Sequence, residues 1–241
     1  MKKALAFLAL ILVTSSLYSQ WMEMSVLLNE SVWASSSLSE TIRGRLITYG
    51  PEALFDGDLS FPWVEGSPES GIGESVTILT NRPINGFSLT NGFAGSPSLF
   101  QIYNRLKEMD LSLLIGFTAP GLVSETDYYL YFLQEIEAGL SVSVKDSSAS
   151  QSFDFQLTTE EQRDLCRKVF QDFAVDHPML IKMILDEIGL TEDNYDNPEN
   201  LYLIMELYGF LALRLTIRDV YEGSRYNDTC LAEMKFDLDE F

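Results

Sequence analysis

Short stretches in which apolar and polar residues alternate recur along most of the chain. Alternation with a period of two residues is typical of a β-strand that buries one face. The predicted strands cover residues 24–28, 46–48, 75–80, 84–90, 109–117, 128–137, 140–144, 152–157, 210–220 and 231–236. Many short strands joined by turns rich in Gly, Pro and Asn predict a mainly β fold, an antiparallel β-sandwich.

Residues 158–209 follow a helical pattern instead. Thr158 and Glu161 have the spacing of a capping box, in which each side chain satisfies a free backbone N–H at the start of a helix. Pro178 and Pro198 each favour the start of a further helix, because the fixed φ angle of proline suits the first helical turn. The chain then returns to strand patterns, so we interpret this segment as a helical insertion in one β-sandwich.

The N-terminal residues 1–20 have the pattern of a secretory signal peptide. Lys2 and Lys3 precede an apolar run at residues 4–13, and small polar residues follow. This run has only about half of the residues that a membrane-spanning helix needs, so we expect cleavage rather than anchoring. We expect the remaining chain, residues 21–241, to be exported to the periplasm or the exterior, and no later stretch predicts a membrane span.

Acidic residues outnumber basic ones by 36 to 16, which gives a formal net charge of −20. Such a surface repels phosphate groups, so nucleic acids and anionic membranes are poor partners. Export would expose Cys166 and Cys230 to oxidising conditions, in which a disulfide forms readily. Cys166 also lies on the apolar face of a predicted helix, so a buried free thiol is at least as good an interpretation.

The segment from residue 53 to residue 74, ALFDGDLSFPWVEGSPESGIGE, mixes turn residues with apolar ones. Its Gly, Pro, Asp and Ser residues exclude one continuous helix or strand. Phe55, Trp63, Val64 and Ile72, in contrast, are too apolar for a loop left wholly in water. A long loop of this composition is usually functional or packed onto its domain, so we expect a shaped loop here.

Four stretches, in order along the chain, resemble the motifs of one known family. They are the loop at residues 53–74, INGFSLTNG at 84–92 with NRLK at 104–107, KD at 145–146 with QSFDF at 151–155, and VYEGSRYNDTCLAEMKF at 220–236. The family is the discoidin-like, F5/8 type C domain of the translocation region of streptococcal NAD glycohydrolases, also called the NADase-type glycan-binding domain. The resemblance implies a galactose-binding-like jelly roll. The NAD-cleaving domain of those toxins has no counterpart here, so no enzyme activity is carried over.

The resemblance also implies a glycan or cell-surface carbohydrate as partner. A sugar site needs an aromatic platform for the apolar face of the sugar and fixed polar groups for its hydroxyls. The candidate ligand-binding residues are Trp63, Glu65, Asn91, Asn104, Arg105, Tyr221 and Asp228. A structural role is the alternative for each: Trp63 could close the core, and Arg105 could pair with Glu65 or Glu74 to hold the loop.

Asp56 and Asp58 flank Gly57 in a tight loop whose oxygens suit a structural calcium ion. In the discoidin-like modules that this chain resembles, a Glu near the C-terminus completes such a site, and Glu233 is placed to fill that role. Phe61 stands where related modules carry a Thr, which removes one oxygen. A turn capped by its own carboxylates is the alternative to a calcium site.

No pattern in the sequence predicts catalysis. His177 is the one histidine, and it lies beside Asp176 between two predicted helices without a nucleophile pattern around it. A carboxylate-pair hydrolase needs no His, but so many acids make any single pair uninformative. We therefore expect an exported, non-enzymatic binding protein for a glycan. The main alternative is a cell-envelope module that binds another protein, for example through Tyr202, Met205 or Tyr208.

Overall fold

The computed structural model of the chain describes residues 21–27, 30–125, 127–191, 195 and 197–241. The predicted signal peptide at residues 1–20 lies outside this part. The described residues form one large mixed sheet, a separate two-stranded hairpin and a group of helices late in the sequence, so the predicted mainly β class is confirmed. Among these residues, no helix combines the length and the apolar character that crossing a bilayer requires.

Strands and helices follow one another with short connections. The strands are β1 (Met22–Leu27), β2 (Val32–Ala34), β3 (Ser39–Ile42), β4 (Arg45–Thr48), β5 (Trp63–Val64), β6 (Ser75–Leu79), β7 (Ile84–Asn91), β8 (Asn104–Phe117), β9 (Tyr128–Ser143), β10 (Gln151–Asp154), β11 (Gly209–Tyr221) and β12 (Thr229–Leu238). The α-helices are α1 (Pro97–Ile102), α2 (Thr159–Asp176), α3 (Pro178–Ile188) and α4 (Pro198–Tyr208), and a 3-10 helix covers Pro51–Phe55.

The large sheet divides into two layers at strand β12, which is paired with β7 on one side and only briefly with β8 on the other. β12 pairs antiparallel with β7 along most of its length, but it pairs parallel with β8 only where Thr229 and Cys230 face Asn104 and Arg105. One layer therefore has the order β10-β7-β12, and the other has the order β1-β9-β8-β11-β6-β2. Side chains of both layers share one buried apolar cluster, which makes the fold the predicted β-sandwich.

The core between the layers follows from the alternation in the long central strands. Leu113 of β8 lies opposite Leu213 of β11, and both are fully buried. From the smaller layer, the ring of Phe87 stacks on that of Phe153 at 5.3 Å between centroids. Each fully buried side chain of this size stabilises the fold by about 1.5–3 kcal/mol, so these alternating positions dominate its stability.

Strand β9 differs from its prediction. The sequence predicts separate strands at residues 128–137 and 140–144, whereas the structure has one strand through both, so that division is wrong. The partner strand β8 is also long, and the pairing shifts register once, between Leu111 and Ser112. A bulge of this kind absorbs a break in the alternation without ending the strand.

Helix α2 begins at the predicted capping box. Thr158 Oγ1 accepts a hydrogen bond from the Glu161 amide, and the Glu161 carboxylate accepts one from the Thr158 amide at 2.8 Å. The buried face of α2 places the rings of Phe170 and Phe173 at 5.0 and 5.5 Å from that of Phe117 in β8. The helices at residues 158–209 therefore share the core of the sandwich.

Both cysteines are free and fully buried. Cys166 lies on α2 in the main core, and Cys230 lies in a smaller cluster with Val64 and Phe93. Burial raises the pKa of the Cys166 thiol to about 12 and that of Cys230 well above its ordinary value. Of the two alternatives for these residues, the structure has the buried thiols.

Candidate functional site

Most of the candidate ligand-binding residues meet at the edge of the sandwich where its two layers join. This edge is built from the loop after β5, the first residues of β8 and the turn before β12. Backbone bonds tie the segments together: the Glu65 amide donates to the Thr229 carbonyl at 3.1 Å, and the Asn104 amide donates to the Asp228 carbonyl at 3.0 Å. We call this edge the rim.

Trp63 lies inside the sandwich, with 1% of its surface exposed. It belongs to β5, opposite Leu231 of β12, and its indole N–H donates to the Ser36 carbonyl at 3.2 Å. A ring buried in this way has no free face for a sugar. Its position fits the structural alternative, a side chain that closes the core, and not the predicted platform.

Glu65 is also fully buried, and it holds the loop to strand β12. Its carboxylate accepts hydrogen bonds from the amides of Thr229 at 3.0 Å and Ser67 at 2.6 Å. Burial raises the pKa of Glu65; the two hydrogen bonds oppose this rise, and the charges of Asp228 and Glu74 add to it. The Glu65 side chain therefore holds the loop in place and is not available at the surface.

Gly71 makes room for this buried carboxylate. Its φ angle is 72°, in the left-handed region that favours glycine, and an added Cβ would lie 2.5 Å from Glu65 Cγ. Any other residue would combine backbone strain with a clash. The glycine in the GIGE motif thus serves the packing of Glu65.

Asn91 and Asn104 bridge backbone segments from buried positions. The Asn91 amide group donates to the Leu106 carbonyl at 2.7 Å, and its oxygen accepts from the Leu106 amide at 2.9 Å. The Asn104 amide group donates to the Asn227 carbonyl at 2.6 Å, and its oxygen accepts from the Gly223 amide at 2.7 Å. Both side chains replace backbone partners that a strand or a turn would otherwise supply.

Arg105 is buried and forms a bidentate pair with Asp146. Its Nε and Nη2 atoms lie 2.9 and 3.0 Å from the two carboxylate oxygens. Nη1 also donates to the carbonyls of Tyr103 at 2.9 Å and Glu222 at 3.3 Å. The structural role expected for Arg105 is present, but its partner is neither Glu65 nor Glu74.

The last two candidates lie nearer to the surface. Tyr221 is half-buried, and its hydroxyl donates to the Val144 carbonyl at 3.1 Å. Asp228 is half-buried as well, and its carboxylate lies close enough to raise the pKa values of Glu65 and Tyr103. Of the seven candidates, Tyr221 and Asp228 therefore remain accessible enough to touch a ligand.

We call the four buried polar residues Glu65, Asn91, Asn104 and Arg105 the rim core.

The rim also carries a partly exposed set of rings that the sequence interpretation missed. Tyr103 stacks on Tyr226 at 4.7 Å between centroids, and the exposed Arg225 guanidinium lies 5.0 Å from the Tyr226 ring. Tyr49 stacks on Phe61, also at 4.7 Å. We call these five side chains the rim strip. The available signal was the run SRYND before β12, which places an aromatic and a basic residue beside Asp228.

The two ring pairs of the rim strip flank one small apolar cluster. Tyr49 and Tyr103 both pack against the cluster that contains Cys230. Burial raises the pKa of both phenols, that of Tyr103 to about 12, with Cys230 and Glu40 adding to each rise. Both phenols are therefore neutral at physiological pH, and their hydroxyls remain available as donors and acceptors.

The three predicted calcium ligands serve the loop itself. Asp56 Oδ1 accepts from the Asp58 amide at 2.7 Å, Asp58 Oδ1 accepts from the Ser60 amide at 2.9 Å, and Glu233 Oε2 accepts from the Gly57 amide at 3.1 Å. Within the described ranges, no three His, Cys, Asp or Glu side chains are grouped to hold a metal. These bonds match the self-capped turn, and the calcium site stays a prediction that a melting curve with chelator tests.

His177 lies at the junction of α2 and α3 in an aromatic cluster. The centroid of its ring is 4.6 Å from that of Phe132, 4.9 Å from Phe173 and 5.4 Å from Trp21. Burial lowers the pKa of the imidazole, so the neutral form dominates at pH 7. These contacts describe a packing role at a helix junction.

Comparison with solved structures gives only distant similarity. An F5/8 type C domain from Bacteroides fragilis is 12% identical, with a TM-score of 0.36 over 92% of this chain and 98% of that one. The CBM32 domains of Clostridium perfringens ZmpB are 9% identical, with a TM-score of 0.37 over 90% of this chain and 40% of that one. The mycobacterial arabinofuranosyltransferase AftD is 12% identical, with a TM-score of 0.40 over 91% of this chain but only 11% of its own.

Sequence comparison is more informative. No curated protein matches the chain significantly. One family model, described as the NAD glycohydrolase translocation F5/8 type C domain, matches residues 25–237. This match spans the sandwich, the helices between β10 and β11 and the whole rim. The chain therefore belongs to the family of NAD glycohydrolase translocation F5/8 type C domains.

Proposed function

We propose that the chain is an exported, non-enzymatic binding protein and that its rim strip recognises a glycan. The observation that carries the proposal is the stacked pair Tyr103 and Tyr226, partly exposed at the rim and covered on one side by Arg225. Membership in an F5/8 type C family supports a binding role.

The rim strip has the two components that a sugar site needs. The parts of the stacked Tyr103 and Tyr226 rings that remain exposed offer apolar area to the C–H face of a pyranose. Arg225, Asn227 and Asp228 lie within a few residues of Tyr226 and provide donors and acceptors for hydroxyl groups. The buried rim core is hydrogen-bonded to the neighbouring loops, so the groups of the rim strip are held in place before a ligand arrives. This lowers the entropic cost of binding.

Charge predicts which glycans fit. The net charge of −20 and the carboxylates of Glu40 and Asp228 beside the rings disfavour sialylated, sulfated or phosphorylated sugars. Arg225 is the one cation of the rim strip, and the Tyr226 ring engages it. We therefore expect neutral glycans as ligands.

A glycan array with matched variants tests this proposal. We expect wild-type protein to bind a set of neutral glycans, and Tyr226→Ala and Arg225→Ala to lose that binding while their melting temperatures stay close to the wild-type value. Tyr202→Ala is the control, because Tyr202 is an exposed ring on α4, outside the rim strip. No glycan bound by the wild type, or binding that survives both rim variants, would overturn the proposal.

A further inference from the structure

The junction of α2 and α3 exposes large apolar side chains. Val175 is 78% exposed, Met179 is 73% exposed and Met183 is 41% exposed. Single exposed apolar residues are common in soluble proteins, but these three follow one another at intervals of four residues. Met179 and Met183 lie one turn apart on α3 and so share one side of that helix.

Further apolar side chains are exposed in the loop that Met183 contacts and on the adjoining strands. An added Cβ on Gly121 would lie 3.7 Å from Met183 Cε, so this methionine contacts the loop between β8 and β9. In the same loop, Val123 bridges to Tyr129 and is 43% exposed. The preceding residue, Tyr128, is the first of β9 and pairs with Leu27 of β1. We call the exposed apolar side chains Val175, Met179, Met183, Tyr128 and Leu27 the apolar corner.

Acidic side chains surround the apolar corner. Exposed carboxylates lie in the loop after Val123 (Glu125 and Asp127) and at the end of α2 (Asp176). Others lie in the last turn of α3 (Asp186 and Glu187) and on β1 (Glu23). The basic residue of α3, Lys182, is already paired with Asp186 at 2.6 Å. An apolar patch with a polar border marks an interaction surface, and the sign of this border selects a cationic partner.

We propose that the apolar corner docks a basic amphipathic helix of a partner protein. Methionine side chains adapt to different apolar partners, and an amphipathic helix supplies apolar residues at the four-residue spacing that Met179 and Met183 present. Lysine and arginine on the flanks of that helix would meet the acidic border. This surface is separate from the glycan proposal, because none of its residues belongs to the rim strip or the rim core.

A synthetic peptide tests the docking surface directly. The probe is a fluorescently labelled Leu/Lys peptide of about four helical turns with apolar residues at helical spacing. The control is a scrambled peptide of the same composition. Both peptides carry the same charge, so a difference in affinity reports the helical arrangement of the apolar residues. We expect the amphipathic peptide to bind the purified chain about tenfold more tightly than the scrambled one. We also expect the double variant Met179→Gln/Met183→Gln to lose this preference.

Leu46→Gln is the matched control, because Leu46 is 72% exposed but lies on the separate β3–β4 hairpin. Its affinity for the amphipathic peptide should equal that of the wild type. Three results would overturn the proposal: equal binding of both peptides, unchanged binding by the methionine double variant, or sedimentation showing that the corner instead joins two copies of the chain. All three proteins are expected to melt alike, since the substituted side chains are exposed.

Discussion

The rim core and the rim strip occupy the same edge of the sandwich and use their side chains in opposite ways. The rim core is buried, and its polar atoms bond to backbone groups or to one carboxylate. The rim strip is partly exposed, and its side chains interact mainly through stacked rings and one guanidinium. The first arrangement fixes loops, whereas the second leaves surface for a ligand. The most recognisable residues of this edge are therefore scaffold residues, and recognition falls to their neighbours.

Trp63→Ala should have the largest effect on stability. Removing a fully buried indole leaves a cavity and costs about 3–5 kcal/mol of unfolding free energy. Chemical denaturation measures this loss directly. If the variant kept its stability and lost only glycan binding, Trp63 would be a ligand platform, and the division between core and strip would fail.

Asn91→Leu should cost somewhat less. The substitution keeps the approximate shape but leaves the amide and the carbonyl of Leu106 without their buried partner. Each unpaired buried group costs about 1–3 kcal/mol, so we expect a loss of about 2–3 kcal/mol in the same denaturation experiment. A neutral result would mean that the rim core does not hold β7 to β8.

Glu65 should give the rim core a measurable pH dependence. Its folded-state pKa lies above the ordinary value of 4.5, so the folded state holds the proton more tightly than the unfolded state. The contribution of this group to unfolding free energy is therefore greatest below pH 4.5 and falls as the pH rises through the folded-state pKa. Glu65→Gln lacks this titration, so the stability difference between wild type and variant should change with pH. Parallel pH profiles would contradict the buried-carboxyl assignment.

Tyr226→Ala should have the smallest effect on stability. The ring is partly exposed and packs on Tyr103 from outside, so we expect a loss below about 1 kcal/mol in thermal or chemical unfolding. Its effect on glycan binding should be large by comparison. A destabilisation similar to that of Trp63→Ala would place Tyr226 in the core and remove the distinction from the rim core.

Local patterns predicted the parts of the fold that depend on nearby residues. The capping box at Thr158 and the strand at residues 84–90 follow from spacing alone, and both are present. The pairing of Arg105 with Asp146 was missed because it depends on the start of β8 lying beside the turn after β9, an arrangement that local patterns do not give. The Tyr103–Tyr226 stack was missed for the same reason, since only the joining of β8 and β12 brings these rings together.

Burial is the second limit on prediction from sequence. Trp63, Glu65, Asn91 and Asn104 stand among turn residues, which suggested accessible loop positions. In the structure, β5, the end of β7 and the start of β8 all pair with β12, and these side chains are buried. A polar or aromatic residue in a turn-rich segment therefore identifies the rim, but the tertiary pairing decides whether it faces water.

The most direct test of the central claim is a nuclear magnetic resonance titration of the chain with a neutral glycan from the array. If the rim strip is the binding surface, the largest shifts will fall on Tyr103, Arg225 and Tyr226, and the amides of the rim core beneath them will move little. Shifts concentrated on Trp63, or on a surface away from the rim with no change at Tyr226, would contradict the account.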